Sequence, residues 1–198
     1  MKEIYVMRHG TTLDNVRGIL MGSNDLPLTL EAEVEIVALR PYVIQPDVVF
    51  ASDLRRARDT ARLLFPAHEV TVLPLFRERN RGAFQGKPTR WWRAAIAARG
   101  AASEGECEDD AFAEAGVESL AALRARAEEA ITLLRRVEAN TVVVVSHGFF
   151  ITSLLRLIQP TCGIQHSLSN LHYHKLTVAE DGIVLDIQVN QAWAKPQP

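Results

Sequence analysis

Two short apolar runs, far apart in the chain, end in the same pair of residues. Residues 4–7 run into Arg8-His9-Gly10, and residues 141–145 run into Ser146-His147-Gly148. Runs of this length suit strands buried on both faces, which occur in parallel sheets covered by helices. A parallel strand presents its carboxyl end to the crevice where ligands bind. Two strands that each deliver a His-Gly to that edge predict a site between them. Gly10 is expected to let the backbone turn sharply there. Arg8 brings a positive charge, and Thr12 and Asn15 would add a hydroxyl and an amide donor. That set suits a dianionic phosphate.

The remaining pattern alternates strands with helices. Gly18, Gly22 and Asn24-Asp25 mark a loop, and Thr29 is a candidate N-cap for a helix ended by Pro41. Its apolar residues Leu30, Val34, Val37 and Ala38 fall at helical spacing. Residues 47–51 read as a strand, Ser52-Asp53 as the cap of a helix over 54–64, and 70–73 as a further strand. That helix carries an apolar stripe of Leu54, Ala57, Ala61 and Leu64. A charged loop leads to a helix rich in tryptophan and alanine over 89–99, then a polar, acidic stretch over 100–116. A long amphipathic helix covers 119–138, and a helix covers 148–158 after the second His-Gly strand. The tail reads as an antiparallel hairpin, 171–178 and 183–189, turned at Asp181-Gly182. The order predicts an α/β fold: three layers, α/β/α, with a mostly parallel sheet and an antiparallel edge strand. One domain is expected over residues 1–198, with a cap or insertion at about 87–116.

Composition removes several function classes. A net charge of −2 gives no general pull toward nucleic acid or membranes. No apolar run approaches ~18 residues, so no membrane span is expected. Cys107 and Cys162 make no framework of disulfides or metal ligands, and with Met1-Lys2-Glu3-Ile4 entering the first strand no signal peptide is expected. A cytoplasmic enzyme is the expectation. His172 and His174 alternate on one strand without a third ligand nearby, so no metal site is expected. Trp91 and Trp92 lack the basic groove that a nucleic-acid stacking platform needs.

Arg8-His9-Gly10, residues 25–29 (DLPLT), residues 52–57 (SDLRRA), Glu78 within FRER, Ser146-His147-Gly148 and Asn170 together resemble the histidine phosphatase family, which includes the cofactor-dependent phosphoglycerate mutases. The blocks occur in the family's order. The resemblance implies a phosphatase of small phosphorylated metabolites that needs no cofactor and acts through a phosphohistidine at His9. It implies that Arg8, Arg56 and His147 surround the phosphate oxygens and that Asn15 adds a donor. Arg56 is preferred to Arg55 by the family's spacing before Ala57. Amides opening the helix after Gly148 could add a positive field. Glu78 would be the general acid that protonates the leaving oxygen and later activates water. Arg58 and Arg62 read as a solvated helix face, and Arg79 and Arg81 as loop charges or substrate contacts.

Departures from the family pattern bear on the reaction. Ile19 and Met21 stand where many members carry an arginine and a glutamine, Ala32 replaces a glycine, and Arg81 stands where mutases carry a tyrosine. The mutases' long insertion is absent between Lys87 and Gly116. These differences favour a phosphatase; the alternatives are a phosphoglycerate mutase and a catalytically silent phosphoprotein-binding module. Ile19, Met21, Trp91 and Trp92 would form an apolar wall at the cleft mouth, with Arg81, Arg90 and Arg93 as outlying anion contacts.

Overall fold

The computed structural model describes residues 1–101, 111–159, 168–179 and 184–193. Cys107, Cys162, the Asp181-Gly182 turn and the acidic residues 104–110 lie outside them. Strand β1 is Lys2–Arg8, β2 Val48–Ala51, β3 Val70–Val72, β4 Thr141–Ser146, β5 Tyr173–Val178 and β6 Val184–Gln191. β4 carries four consecutive valines, 142–145, all shut off from solvent. A strand apolar at every position has no face to give to water, so it belongs inside a sheet covered on both sides. It lies there, between β2 and β1, in the order β3-β2-β4-β1-β5-β6. The first four of these are parallel; β5 runs antiparallel to β1, and β6 antiparallel to β5.

Alternate residues of each strand feed opposite layers. Ile4, Val6, Val142 and Val144 pack beneath α5 (Leu120–Arg136) and α6 (Gly148–Ile158). Tyr5, Met7, Val143 and Val145 pack beneath α2 (Leu30–Leu39) and α3 (Arg55–Leu64). This is the expected three-layer arrangement with an antiparallel edge. The chain leaves β1 toward the α2/α3 face and leaves β4 toward the α5/α6 face. Neighbouring parallel strands whose connections diverge open a crevice at their carboxyl ends. His9 and His147 stand at those ends, because Arg8 pairs with Ser146 in register. Two shorter helices, α1 (Leu13–Arg17) and α4 (Thr89–Ala97), flank the crevice. A third apolar cluster, Trp92, Ile96, Phe112 and Val117, seats α4.

Local signals held in part. Thr29 caps α2 by accepting the Ala32 amide at 3.1 Å, and Ser119 caps α5. Ser52 and Asp53 do not cap α3: its N-cap is Leu54, without a side-chain bond. Ser52 instead accepts the Leu54 amide, and Asp53 binds the Arg77 guanidinium through both oxygens. Pro41 lies within a short 3-10 turn, Arg40–Tyr42, that follows α2. α2 buries Ala32, Ile36 and Leu39, whereas Leu30, Val34, Val37 and Ala38 face solvent. The helix is apolar on two sides, and spacing alone could not choose between them. Gly10 makes the choice: a Cβ there would stand 2.9 Å from Ile36 Cδ1 and 3.1 Å from Leu28 Cδ2. The glycine is therefore required by close packing against α2, and not by the sharp turn expected of it; its φ is not positive.

One buried group makes stability depend on pH. His174 is buried on β5, accepts the Asn190 amide at 3.2 Å through Nδ1, and is pushed by burial from 6.5 down to about 4. His9 and His147 shift in the same direction. Between about 4 and 6.5 the unfolded chain binds protons that the folded chain refuses. Stability should be full above about pH 6.5 and decline as the pH falls toward 4. Urea midpoints at pH 7.5 and 5.0 test this: the drop should be smaller in His174→Leu than in the parent.

Candidate active site

His9 extends the sheet by one hydrogen bond, its amide donating to the Ser146 carbonyl at 3.1 Å. That bond and the parallel register bring the His9 and His147 rings to a centroid separation of 5.1 Å, inclined at 55°. Both rings are fully buried. His9 Nδ1 lies 2.6 Å from the Gly10 carbonyl, which can only accept, so Nδ1 carries the proton in this arrangement. Nε2 then presents its lone pair, and Arg56 Nε donates to it at 3.2 Å. Burial first, then Arg56 and Arg8, hold the His9 imidazole well below its ordinary titration range. The ring is neutral at pH 7 and able to act as a nucleophile.

Arg56 is set by the first turn of α3 and is entirely buried. Its other guanidinium nitrogens donate to the Asn24 carbonyl at 2.6 Å and the Gly22 carbonyl at 2.8 Å. Burial lowers it to about 10, so it stays charged at neutral pH. Arg55 points outward to Asp59 on the same helix. Arg8 donates from one terminal nitrogen to the Leu168 carbonyl at 2.7 Å, and its Nε has no partner among the described residues. Neither ring nitrogen of His147 has one either. Burial, followed by the fields of Arg56, His9, Arg8 and Arg126, keeps His147 neutral as well. Buried polar atoms normally have hydrogen-bond partners. An oxyanion placed here would satisfy these atoms, and its charge would draw protons back onto the imidazoles.

Other expected site residues are placed differently. Thr12 is buried as the N-cap of α1: its hydroxyl accepts the Asn15 amide, and Asn15 Oδ1 accepts from the Thr12 amide. Its hydroxyl also lies 3.0 Å from Met21 Sδ, so Thr12 shapes the loop and is not free to hold phosphate. Asn15 Oδ1 is engaged, which leaves its NH2 as the available donor. Glu78 does reach the crevice. Its Oε1 accepts from the Arg79 and Phe150 amides at 2.9 and 3.0 Å, and its Oε2 from the Phe149 amide at 3.1 Å. Two of the amides opening α6 thus hold a carboxylate, and not a substrate anion as the sequence suggested. Each carboxylate oxygen offers two lone pairs, so one remains open, on Oε2. Trp92 is packed against Phe84 and Phe112 beneath α4, at centroid distances of 5.0 and 4.6 Å, and so is no cleft wall. Arg81 is stacked on the Trp92 and Phe149 rings, while Trp91, Arg90 and Arg93 are exposed.

Sequence reasoning missed Thr60 and named Asn170 and Ser146 only as part of motif blocks, without the supporting bonds that they make. Thr60 accepts the Gly10 amide at 2.9 Å and donates to the Arg56 carbonyl at 2.6 Å, tying the His9 turn to α3. Its position one helical turn after Arg56 was the available signal. Asn170 donates to the His9 carbonyl at 2.8 Å. Ser146 donates to the Phe76 carbonyl at 2.7 Å and holds the segment that leads to Glu78.

Two imidazoles and two guanidiniums converge at the carboxyl edge of the parallel strands, an arrangement with the charge and donors to hold an oxyanion. The chain belongs to the histidine phosphatase superfamily (branch 1), whose family model matches residues 4–191. A metal-independent phosphoserine phosphatase of Arabidopsis thaliana is 30% identical over 172 residues, covering 79% of this chain and 69% of the relative. A mycobacterial glucosyl-3-phosphoglycerate phosphatase, solved with VO3, superposes with a TM-score of 0.74 at 27% identity, over 89% of this chain and 93% of that one. A phosphoglycerate mutase from Bacillus anthracis shares the fold, with a TM-score of 0.80 at 23% identity over 92% and 90%.

Proposed function

We propose that this protein hydrolyses small phosphate monoesters in the cytoplasm through a phosphohistidine at His9, without a metal. The observation that carries the reading is the His9 Nε2 lone pair held among half-buried Arg8 and fully buried Arg56 and His147. Phosphoryl transfer asks a protein mainly for alignment and charge stabilisation, and fixed guanidiniums supply both. His9 Nε2 forms a bond to phosphorus as the phosphorus–oxygen bond to the leaving group breaks. Glu78, carrying a proton on Oε2 where one lone pair is left open, gives that proton to the leaving oxygen. In the second half, Glu78 takes a proton from water as the water oxygen bonds to phosphorus and the N–P bond breaks. His147, held neutral by burial and the neighbouring cations, takes a proton from solvent as the dianion enters and then donates to one of its oxygens.

The metal-free reading agrees with the donor set. Among the described residues, no group of three or more His, Cys, Asp or Glu is placed to hold a metal ion. None of their helices is long and apolar enough to cross a membrane. Substrates resembling the phosphorylated hydroxy acids and amino acids of the named relatives are the first to try. The deciding experiment is rapid quench with a labelled phosphomonoester. An acid-labile, base-stable phosphoprotein should appear, with turnover unchanged by EDTA. EDTA-sensitive turnover, or label bound as an acid-stable ester, would reject the reading. Interconversion of phosphoglycerates on addition of a bisphosphoglycerate would identify a mutase instead.

Glu78→Gln gives a separate expectation. Loss of a general acid typically costs ~10²–10⁴-fold, and the cost should follow the basicity of the leaving group. With an alkyl phosphate, kcat should fall at least about a hundredfold; with p-nitrophenyl phosphate, whose leaving group needs little protonation, the fall should be under about tenfold. Equal losses on both substrates would remove the acid role from Glu78.

A further inference from the structure

α2 is apolar on the side it buries and again on the side it shows to solvent. Leu30 is 76% exposed and Val34 71%, with Val37, Ala38, Pro41 and Tyr42 continuing the stripe. A surface helix normally carries one apolar stripe, so a second one calls for cover of its own. Single exposed apolar residues are ordinary, but a contiguous set calls for a partner. The set does not stop at α2. The Thr29 amide donates to the Thr11 carbonyl at 3.0 Å, which brings the start of α2 against the start of α1, where Leu13 is exposed. At the other end of α1, Val16 is 70% exposed, and the Thr89 amide donates to the Gly18 carbonyl at 2.8 Å, bringing in the start of α4. There Trp91 is 52% exposed. The result is one apolar belt running from α2 across α1 to α4.

Its two ends carry opposite charge. Glu31 and Glu35 lie on α2 beside the stripe, Arg90 and Arg93 adjoin Trp91 on α4, Lys87 precedes α4 and Arg17 ends α1; all six are exposed. A surface acidic at one end, basic at the other and apolar in the middle is complementary to itself under a two-fold rotation about the middle. We propose that this belt is a homodimer interface, with the two-fold axis over α1 between Leu13 and Val16. The α2 of each copy then lies along the α4 of the other, Glu31 and Glu35 facing Arg90 and Arg93, twice per dimer. An apolar centre within a polar rim is the ordinary anatomy of such a contact. An unrelated partner could match one end; the antisymmetry of the whole belt is what selects a second copy.

Sedimentation velocity of the intact protein over about 0.1–100 μM tests this. A dimer should form within that range, and Val34→Lys should weaken it by at least about tenfold. The double variants Glu31→Arg/Glu35→Arg and Arg90→Glu/Arg93→Glu should each be monomeric alone, because like charges then meet at both ends. An equimolar mixture of the two should dimerise again, since both ends of the mixed pair are complementary. All four substituted positions are exposed, and unchanged thermal melting will show that the variants fold. A parent that stays monomeric to 100 μM, a dimer indifferent to these substitutions, or a mixture that fails to associate overturns the proposal.

Discussion

His9→Ala is expected to lose at least about 10⁴-fold in kcat while still binding inorganic phosphate. The two halves of that outcome have different physical sources. On the proposed reaction, turnover needs the Nε2 lone pair and no neighbouring group supplies a substitute: His147 is fixed at the start of α6, and Glu78 is held by three amides. Anion binding is expected to depend mostly on Arg8, Arg56 and Asn15; of these only Arg56 bonds to the His9 ring, and that is one of its three bonds. Arg56 keeps its bonds to the Gly22 and Asn24 carbonyls, and Arg8 its bond to the Leu168 carbonyl. Phosphate should therefore still raise the melting temperature of His9→Ala, through preferential binding to the folded state. A variant with a few per cent of parental activity, or one whose melting no longer responds to phosphate, would show that the ring is a scaffold and not the nucleophile.

The paired imidazoles were legible in the sequence because a single physical rule covers them. A fully apolar run is a buried parallel strand, and whatever follows it emerges at the ligand edge. The four valines of β4 and residues 4–7 of β1 obey it without competition, so the separation of the two rings followed from register alone. Arg56 was distinguishable from Arg55 only through the family's spacing, since either could have been aimed inward by a small rotation of α3. Thr12 was misread because a hydroxyl three residues before an asparagine serves a capping box as readily as a ligand. Glu78 could be named from its block, but its anchoring could not. Its amide partners lie 71 and 72 residues away on α6, and nothing local announces them. Trp92 and α2 share one cause of error. An apolar residue declares that it seeks burial, and the fold decides what covers it: for Trp92 it is Phe84 and Phe112, and for the outer stripe of α2 it is nothing among the described residues.

Arg56 should prove costly in two currencies at once, which separates it from His9. Arg56→Met retains much of the volume but removes the donors to the Gly22 and Asn24 carbonyls and the nitrogen that meets His9 Nε2. A buried carbonyl left without a donor costs about 1–3 kcal/mol, so the folded state should lose on the order of 2–4 kcal/mol, partly offset because no guanidinium is then desolvated. Catalysis loses more. A clamp on the transferring phosphoryl group acts in a water-excluded site, where removal of one donor commonly costs ~10²–10³-fold in kcat. Loss of a full buried charge should reach at least the upper end of that range, and the phosphate-dependent rise in melting temperature should disappear. Arg56→Lys sharpens the test. It restores the charge, but a single ammonium on a flexible stem cannot reach two carbonyls and an imidazole in the directions the planar fork covers. Lysine should therefore recover part of the phosphate binding while kcat stays at least about a hundredfold below the parent. Full recovery of turnover by lysine would mean that charge alone matters, and the fork geometry recorded at His9, Gly22 and Asn24 would have no catalytic meaning.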